Sequence, residues 1–391
     1  MKQQKVTFVF LLFFIFLTNI SFSQQSENLK FGTYKVGLKV VETVDNARTF
    51  LPVAGEKPVP RPVKYYVWFP AKEKTASKKL LFSDYADMMA KDFGIDVKTK
   101  SARVDTLAKY FNPFKRTPKE ELSEILKTET MASLQLPGEK GTFPVIVFGQ
   151  GYGYTSPAIN YALCEYLASH GFIVASPRLI GKNSYETKVN LEDLEAETND
   201  MNFILNLMKK HPNADPSKIG VIGFDLGGMA AMLLQIKNTS VKAMVSLDAG
   251  IMFEHNTKLL KESPIYSPSK LRVPLLHFMN TTETLPQGII EDHSLIQMSK
   301  TTDRYIVRLK NMHHRDYTSL SRLGISDGSA MDQNIRKNHS ENYQIISEYT
   351  LYFLDSFLRN NPKSKELLNT KSAIDSSFNN NYIFEHYEIN K

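Results

Sequence analysis

The stretch that most restricts the fold is residues 218–236. There an apolar run, Ile219-Gly220-Val221-Ile222, passes through Gly223-Phe224-Asp225-Leu226-Gly227 into Gly228-Met229 and a further apolar run that reads as a helix. Glycines two places to either side of one residue are what a tight strand-to-helix turn needs. No side chain fits beside such a turn, and the central side chain is thrust out at the carboxyl end of the strand, next to the positive end of the following helix. The residue so placed is Asp225. The flanking sequence supplies the sheet that would hold the turn: residues 143–148, 172–176, 218–224, 241–247, 273–279 and 304–309 read as nearly continuous apolar strands, with helices over 157–170, 227–236 and 342–359. Between them Leu191, Leu194, Met201, Leu205 and Met208 recur at steps of three, four or seven, the spacing of one helical face. This alternation predicts an α/β fold, a mostly parallel central sheet covered by helices on both faces, with its chemistry at the carboxyl ends of the strands.

Two earlier runs, 33–41 and 63–69, have the β-branched and aromatic content of strands and are joined by the Pro- and Gly-containing loop 52–62, so they suit an antiparallel opening to the sheet. Residues 81–136 change to helical stretches broken by Pro113 and Pro118, a helical insertion into one domain. The first residues, Met1-Lys2-Gln3-Gln4-Lys5, an apolar run over 6–17 and then Ser21-Phe22-Ser23, read as a cleavable secretory signal peptide over 1–23. The run is shorter than the ~20 residues of a spanning helix. The expected layout is therefore a signal peptide, an α/β domain over 24–360 and a polar C-terminal tail over 361–391, in a protein that is secreted or periplasmic and has no stable membrane span once the signal is cleaved.

Composition removes other classes. The formal charge of +7 falls to +5 without Lys2 and Lys5, and the remaining basic residues are interspersed with acids, so nucleic acid is not an expected partner. The single cysteine, Cys164, excludes an internal disulfide and reads as a small buried residue. His293, His313, His314 and His339 lack paired ligand spacing, so neither a metal nor another cofactor is expected.

An elbow of this kind calls for an acid and a histidine after later strands, in that order. Asp248 follows the strand 241–247, and His314 follows 304–309 by a short loop, with His313 as the alternative histidine. The chain also carries Phe143-Pro144-Val145-Ile146-Val147-Phe148-Gly149-Gln150-Gly151, Tyr166-Leu167-Ala168-Ser169-His170-Gly171-Phe172-Ile173-Val174-Ala175, Leu247-Asp248-Ala249-Gly250 and His314-Arg315-Asp316-Tyr317. With the elbow, these make it resemble the α/β-hydrolase superfamily, and within it the platelet-activating-factor acetylhydrolase and dienelactone-hydrolase-like esterases. The resemblance implies Asp225 at the nucleophile position, Asp248 as triad acid and His314 as triad base. It implies an oxyanion hole from the backbone N–H of Leu226 and one near Gly151-Tyr152, with Gln150 and Tyr154 at the pocket. No cofactor is implied.

The sequence departs from those esterases at two places. Gln150-Gly151 stands where His-Gly is usual, and Asp225 replaces the elbow serine. A carboxylate is already ionised and needs no proton transfer to become a nucleophile, so the histidine's task shifts to activating the water that cleaves the covalent intermediate. The reading is an exported hydrolase acting on an ester or acyl substrate, small or glycan-derived. The alternatives are an epoxide hydrolase or dehalogenase-like enzyme with Asp225 as nucleophile, with Tyr85 and Tyr110 as candidate acids, and a non-catalytic binding protein that kept the fold. Leu226 stands where such aspartate enzymes usually carry tryptophan. Trp68, the only tryptophan, reads as core.

Overall fold

In a computed structural model, which describes residues 29–388 apart from 54, 75–76, 112–116, 282–287, 299–300, 326–332 and 371–379, the alternation becomes a single sheet. Its strands are β1 (Lys35–Phe50), β2 (Val59–Ala71), β3 (Lys79–Leu81), β4 (Glu129–Leu134), β5 (Phe143–Gly149), β6 (Ile173–Pro177), β7 (Ala214–Phe224), β8 (Val241–Leu247), β9 (Leu275–Asn280), β10 (Arg304–Leu309) and β11 (Tyr382–Tyr387). The order across the sheet is β11-β10-β9-β8-β7-β5-β6-β2-β1-β4-β3. The six strands from β6 to β10 in that row run parallel, and β2 joins them antiparallel through β6. All seven residues of β5 are buried, which is why that segment reads as unbroken apolar sequence rather than an alternation.

Among the described residues the insertion holds α1 (Phe82–Asp92), α2 (Lys100–Thr106), which runs on into a π-helical turn (Leu107–Phe111), and α3 (Lys119–Ile125), and it closes not in a helix but in β4, parallel to β1. Beyond it lie α4 (Tyr161–Ser169), α5 (Leu191–Met208), α6 (Leu226–Lys237), α7 (Glu254–Glu262), α8 (Ser294–Met298), α9 (Gln333–Leu358) and α10 (Pro362–Asn369). The pleat sorts the strand side chains between two cores. Ile146, Phe148, Val245 and Leu247 pack with α4 and α9, whereas Val145, Val147 and Met244 pack with α5 and α6.

The expected polar tail is corrected. Residues 361–391 include α10 and β11, and β11 pairs antiparallel with β10 from Arg304↔Tyr387 to Leu309↔Tyr382. The reason is a period of two: Tyr382, Phe384 and His386 face inward on Tyr349 and Tyr305 (ring centroids 5.8, 5.4 and 4.1 Å), while Ile383 and Tyr387 stay exposed. The signal peptide expected over 1–23 lies outside the described residues. No described helix is long and apolar enough to cross a membrane.

Candidate active site

Close backbone packing builds the site before any polar group enters it. A Cβ on Gly227 would lie 2.3 Å from the carbonyl carbon of Gly149, and one on Gly223 would lie 2.1 Å from the Gly227 oxygen. Strand β5, strand β7 and the first turn of α6 therefore touch backbone to backbone, which only glycine permits. Between them Asp225 adopts φ +51°, ψ −119°, a strained conformation for a residue with a side chain. Its carboxylate leaves the turn toward the loop after β5, where the Tyr152 N–H donates to Oδ2 at 2.8 Å. A Cβ on Gly151 would meet the Asp225 Cβ at 3.0 Å, so that loop also needs its glycine.

Asp248, just past β8, likewise has positive φ (+41°), and its N–H donates to the Phe278 carbonyl at 2.8 Å. Its Oδ2 lies 2.7 Å from His314 Nδ1. His314 opens a single 3-10 turn (His314–Tyr317) after β10, and its ring stacks on Phe224 with centroids 4.7 Å apart. Its Nε2 lies 3.8 Å from Asp225 Oδ2, beyond hydrogen-bond length and within reach of a bridging water. Burial opposes charge on His314, but the carboxylates of Asp225 and Asp248 outweigh it and raise its pKa well above the usual histidine range. The loop is held from behind. Buried Asp316 accepts the His313 N–H at 2.8 Å and sits 3.5 Å from His339, whose Nε2 lies 2.9 Å from the Asn311 carbonyl oxygen.

These groups line one wall of a cavity of about 210 Å³, bounded opposite by Phe253, His255, Asn256, Asn280 and His313. Of the two candidate histidines, His314 is the one between the carboxylates. His313 borders the same cavity and is exposed.

The architecture matches that of a ferulic acid esterase from Streptomyces cinnamoneus with a TM-score of 0.60 at 18% identity, covering 90% of this chain and 96% of that one. The chain has the α/β-hydrolase fold. Two family models match segments of it: Chlorophyllase over residues 115–259, and BAAT / Acyl-CoA thioester hydrolase C terminal over residues 202–318. Both segments contain Asp225 and Asp248, and the second also contains His314. Chlorophyllase-1, chloroplastic, of Citrus unshiu is 32% identical over 115 residues, which span 29% of this chain and 34% of that protein, about a third of the relative's length. Over these segments the chain is similar to esterases and thioester hydrolases of the α/β-hydrolase superfamily.

Within this fold some expected positions differ. Gln150, expected at the pocket, is fully buried: its Nε2 donates to Ser176 Oγ at 2.7 Å and its Oε1 accepts from Asn160 Nδ2 at 2.9 Å. Where a histidine is usual, the glutamine serves as a brace beneath the loop. Tyr154 does border the site, its ring edge-on to His314 at 6.0 Å and its hydroxyl accepting from Arg315 Nε at 3.0 Å. Leu226 begins α6 directly after Asp225, so its backbone N–H belongs to the same turn. Tyr85, a candidate acid, is enclosed in the core, accepting from Trp68 Nε1 at 3.0 Å and donating to Glu165 at 2.8 Å. The side chain of Tyr110 lies outside the described residues.

Glu197 on α5 was missed by the motif reading. It is 1% exposed and its Oε1 accepts the Gln150 N–H at 2.8 Å, fixing the loop that carries Tyr152. Burial, reinforced by Asp225 and Asp200, raises its pKa well above the ordinary value. A signal for it existed: Leu194, Glu197 and Met201 step by three and four, so a carboxyl stands in the apolar stripe of a helix.

Proposed function

We propose that this hydrolase cleaves small esters or acyl substrates, with Asp225 as the covalent centre, His314 as proton donor and base, and Asp248 orienting His314. The observation that carries the reading is the setting of one carboxylate: Asp225 at the elbow with Oδ2 on the Tyr152 N–H (2.8 Å), His314 Nε2 3.8 Å away, and Asp248 2.7 Å behind the imidazole. The matched chlorophyllase and acyl-CoA thioester hydrolase segments, both of which contain Asp225 and Asp248 and the second also His314, support an ester-type substrate.

The raised pKa of His314 fits an aspartate better than a serine. A serine needs neutral imidazole from the outset, whereas a carboxylate attacks unaided while the imidazolium gives its proton to the departing alkoxide. Asp225 bonds to the acyl carbon, the alcohol leaves, and a mixed anhydride remains. Forming it removes one of the two negative charges that held the proton on His314, so the imidazole is then suited to take a proton from water. That water attacks the anhydride, releasing the acid and restoring the Asp225 carboxylate.

A second reading, displacement at a saturated carbon as in epoxide or carbon–halogen cleavage, is favoured by one feature. The Tyr152 amide is already engaged by Asp225 Oδ2, so it is not waiting for a substrate oxyanion. An alkyl ester on Asp225 would keep its own carbonyl oxygen on that amide while water attacks. The test is turnover of a panel of short acyl esters by the purified protein and by Asp225→Asn and His314→Ala. Loss of about a hundredfold or more in both variants supports the proposal, and undiminished turnover by Asp225→Asn refutes it. Turnover of epoxides or haloalkanes, but not esters, selects the second reading.

A further inference from the structure

We propose that a second cavity, at the opposite end of the sheet from Asp225, binds a small amphiphilic carboxylate, a monoanion with an apolar body of the size of octanoate. The cavity has a volume of about 370 Å³, within the range of about 300–1,000 Å³ usual for small-molecule sites. It lies under the β1–β2 ribbon, against the starts of β5 and β6 and the end of α5. Phe143, the first residue of β5, lines it, whereas Gly149 at the other end of that strand abuts the elbow. At about 3.3 Å per residue the two sites are separated by roughly 20 Å of strand.

The walls explain the apolar half of the ligand. Val67, Phe69, Phe143, Ile173 and Met208 are all buried core residues, yet they leave this space between them. The charge at the opening explains the other half. Lys39 is exposed, forms no described ion pair, and holds its ammonium 5.6 Å from the Phe69 ring centroid. His211 also lines the cavity, and its Nδ1 accepts the Asn213 N–H at 3.3 Å, which places the proton of the neutral ring on Nε2 as a donor. Glu139, on the turn beside Gly138, already faces Lys72 at 3.9 Å and accepts the Lys140 N–H at 2.7 Å. Burial lowers the pKa of His211 and the charge of Lys39 lowers it further, with no carboxylate acting in the other direction. Two basic donors at the mouth of an apolar cavity, with no acid acting on the histidine, complement an anionic head on a hydrocarbon body. A neutral alcohol of equal length would leave this charge unanswered.

The site makes no use of Asp225, so its test is independent of the proposed reaction. Calorimetric titration of the full chain with octanoate and with octanol is expected to show octanoate binding about tenfold tighter. Octanoate binding should persist in Asp225→Asn, fall about tenfold in Lys39→Glu, and be lost from Val41→Trp, which places a ring in the cavity. Independently of any variant, the ring resonances of His211 should move on adding octanoate, and its titration should shift to higher pH. Equal affinity for octanol, unchanged binding by Lys39→Glu, or His211 resonances that stay still at saturating octanoate would each overturn the proposal. Binding that weakens as the protein dimerises would instead assign the cavity to a second copy of the chain.

Discussion

Replacing Glu197 by glutamine is expected to stabilise the protein at neutral pH by an amount that vanishes in acid. The carboxyl is 1% exposed, one oxygen accepts the Gln150 N–H at 2.8 Å, and the other has no hydrogen-bond partner among the described residues. Burial foremost, then the nearby charges of Asp225 and Asp200, raises its pKa well above the ordinary 4.5. The folded state therefore keeps a proton that the unfolded chain gives up once the pH passes 4.5. Between that value and the folded group's own raised pKa the native state binds more protons, so its stability falls as pH rises, by about 1.4 kcal/mol per pH unit for one full proton. Below the ordinary value both states are protonated and the cost disappears. Glutamine is nearly isosteric, keeps an acceptor for the Gln150 amide and ionises in neither state. Urea unfolding from about pH 4 to about pH 8 should give coincident midpoints at the acid end. Above it the two should diverge, Glu197→Gln the more stable, with a difference in slope of up to about 1.4 kcal/mol per pH unit. Glu197→Ala, which orphans the Gln150 N–H, should be less stable than Glu197→Gln by about 1–3 kcal/mol at every pH. Parallel stability curves for the natural chain and Glu197→Gln would mean that Glu197 is charged in the fold, and would refute the reasoning.

Three further outcomes follow from the same geometry. Gly227→Ala puts a methyl group 2.3 Å from the Gly149 carbonyl carbon and 2.7 Å from the Gln150 nitrogen, all backbone, so it should cost at least about 1–3 kcal/mol and displace the Tyr152 amide; unchanged melting and activity would contradict this packing. Because the first step is assigned to the imidazolium, kcat/KM should be lost as pH rises through the raised pKa of His314, and Asp225→Ser, which needs neutral imidazole, should reverse that limb; a profile of one shape for both would contradict the assigned roles. Arg61 donates to both Asp200 oxygens (2.7 and 2.6 Å) at 2% exposure, so Arg61→Ala should destabilise by about 3–5 kcal/mol in chemical denaturation, and a loss under about 1 kcal/mol would show that pair to be dispensable.

Where sequence alone sufficed, the residues obeyed a local steric rule. The glycines around Asp225 could be read because backbone contact forbids any other residue there, and the apolar strands β5, β7 and β8 because both their faces are covered. Asp248 and His314 were legible from position, one just past β8 and one in the turn after β10, although only the fold brings them 2.7 Å apart. Strand β11 was not legible: it is a short edge strand, partly exposed, and its inward residues Tyr382, Phe384 and His386 gain their partners from distant segments. Gln150 was misplaced because its neighbours Ser176 and Asn160 come from β6 and the turn before α4, contacts that no spacing rule encodes. Glu197 left a readable trace as a carboxyl in an apolar stripe, yet its acceptor role depends on a backbone N–H 47 residues away.

The central claim is that Asp225 is the covalent centre, and the most direct measurement is the mass of the protein during turnover with the second step blocked. In His314→Ala the base is gone, and an aryl ester with a good leaving group needs no proton from the missing imidazolium. After mixing with such an ester, intact-protein and peptide mass spectrometry should show an increase equal to the acyl group, on the peptide that contains Asp225 and absent from His314→Ala/Asp225→Asn. An increase equal to the alkyl group, found with an alkyl halide or epoxide, would move the chemistry to the second reading while keeping Asp225 at its centre. Turnover of the ester with no adduct on Asp225, or an adduct that persists when Asp225 is replaced by asparagine, would contradict the account.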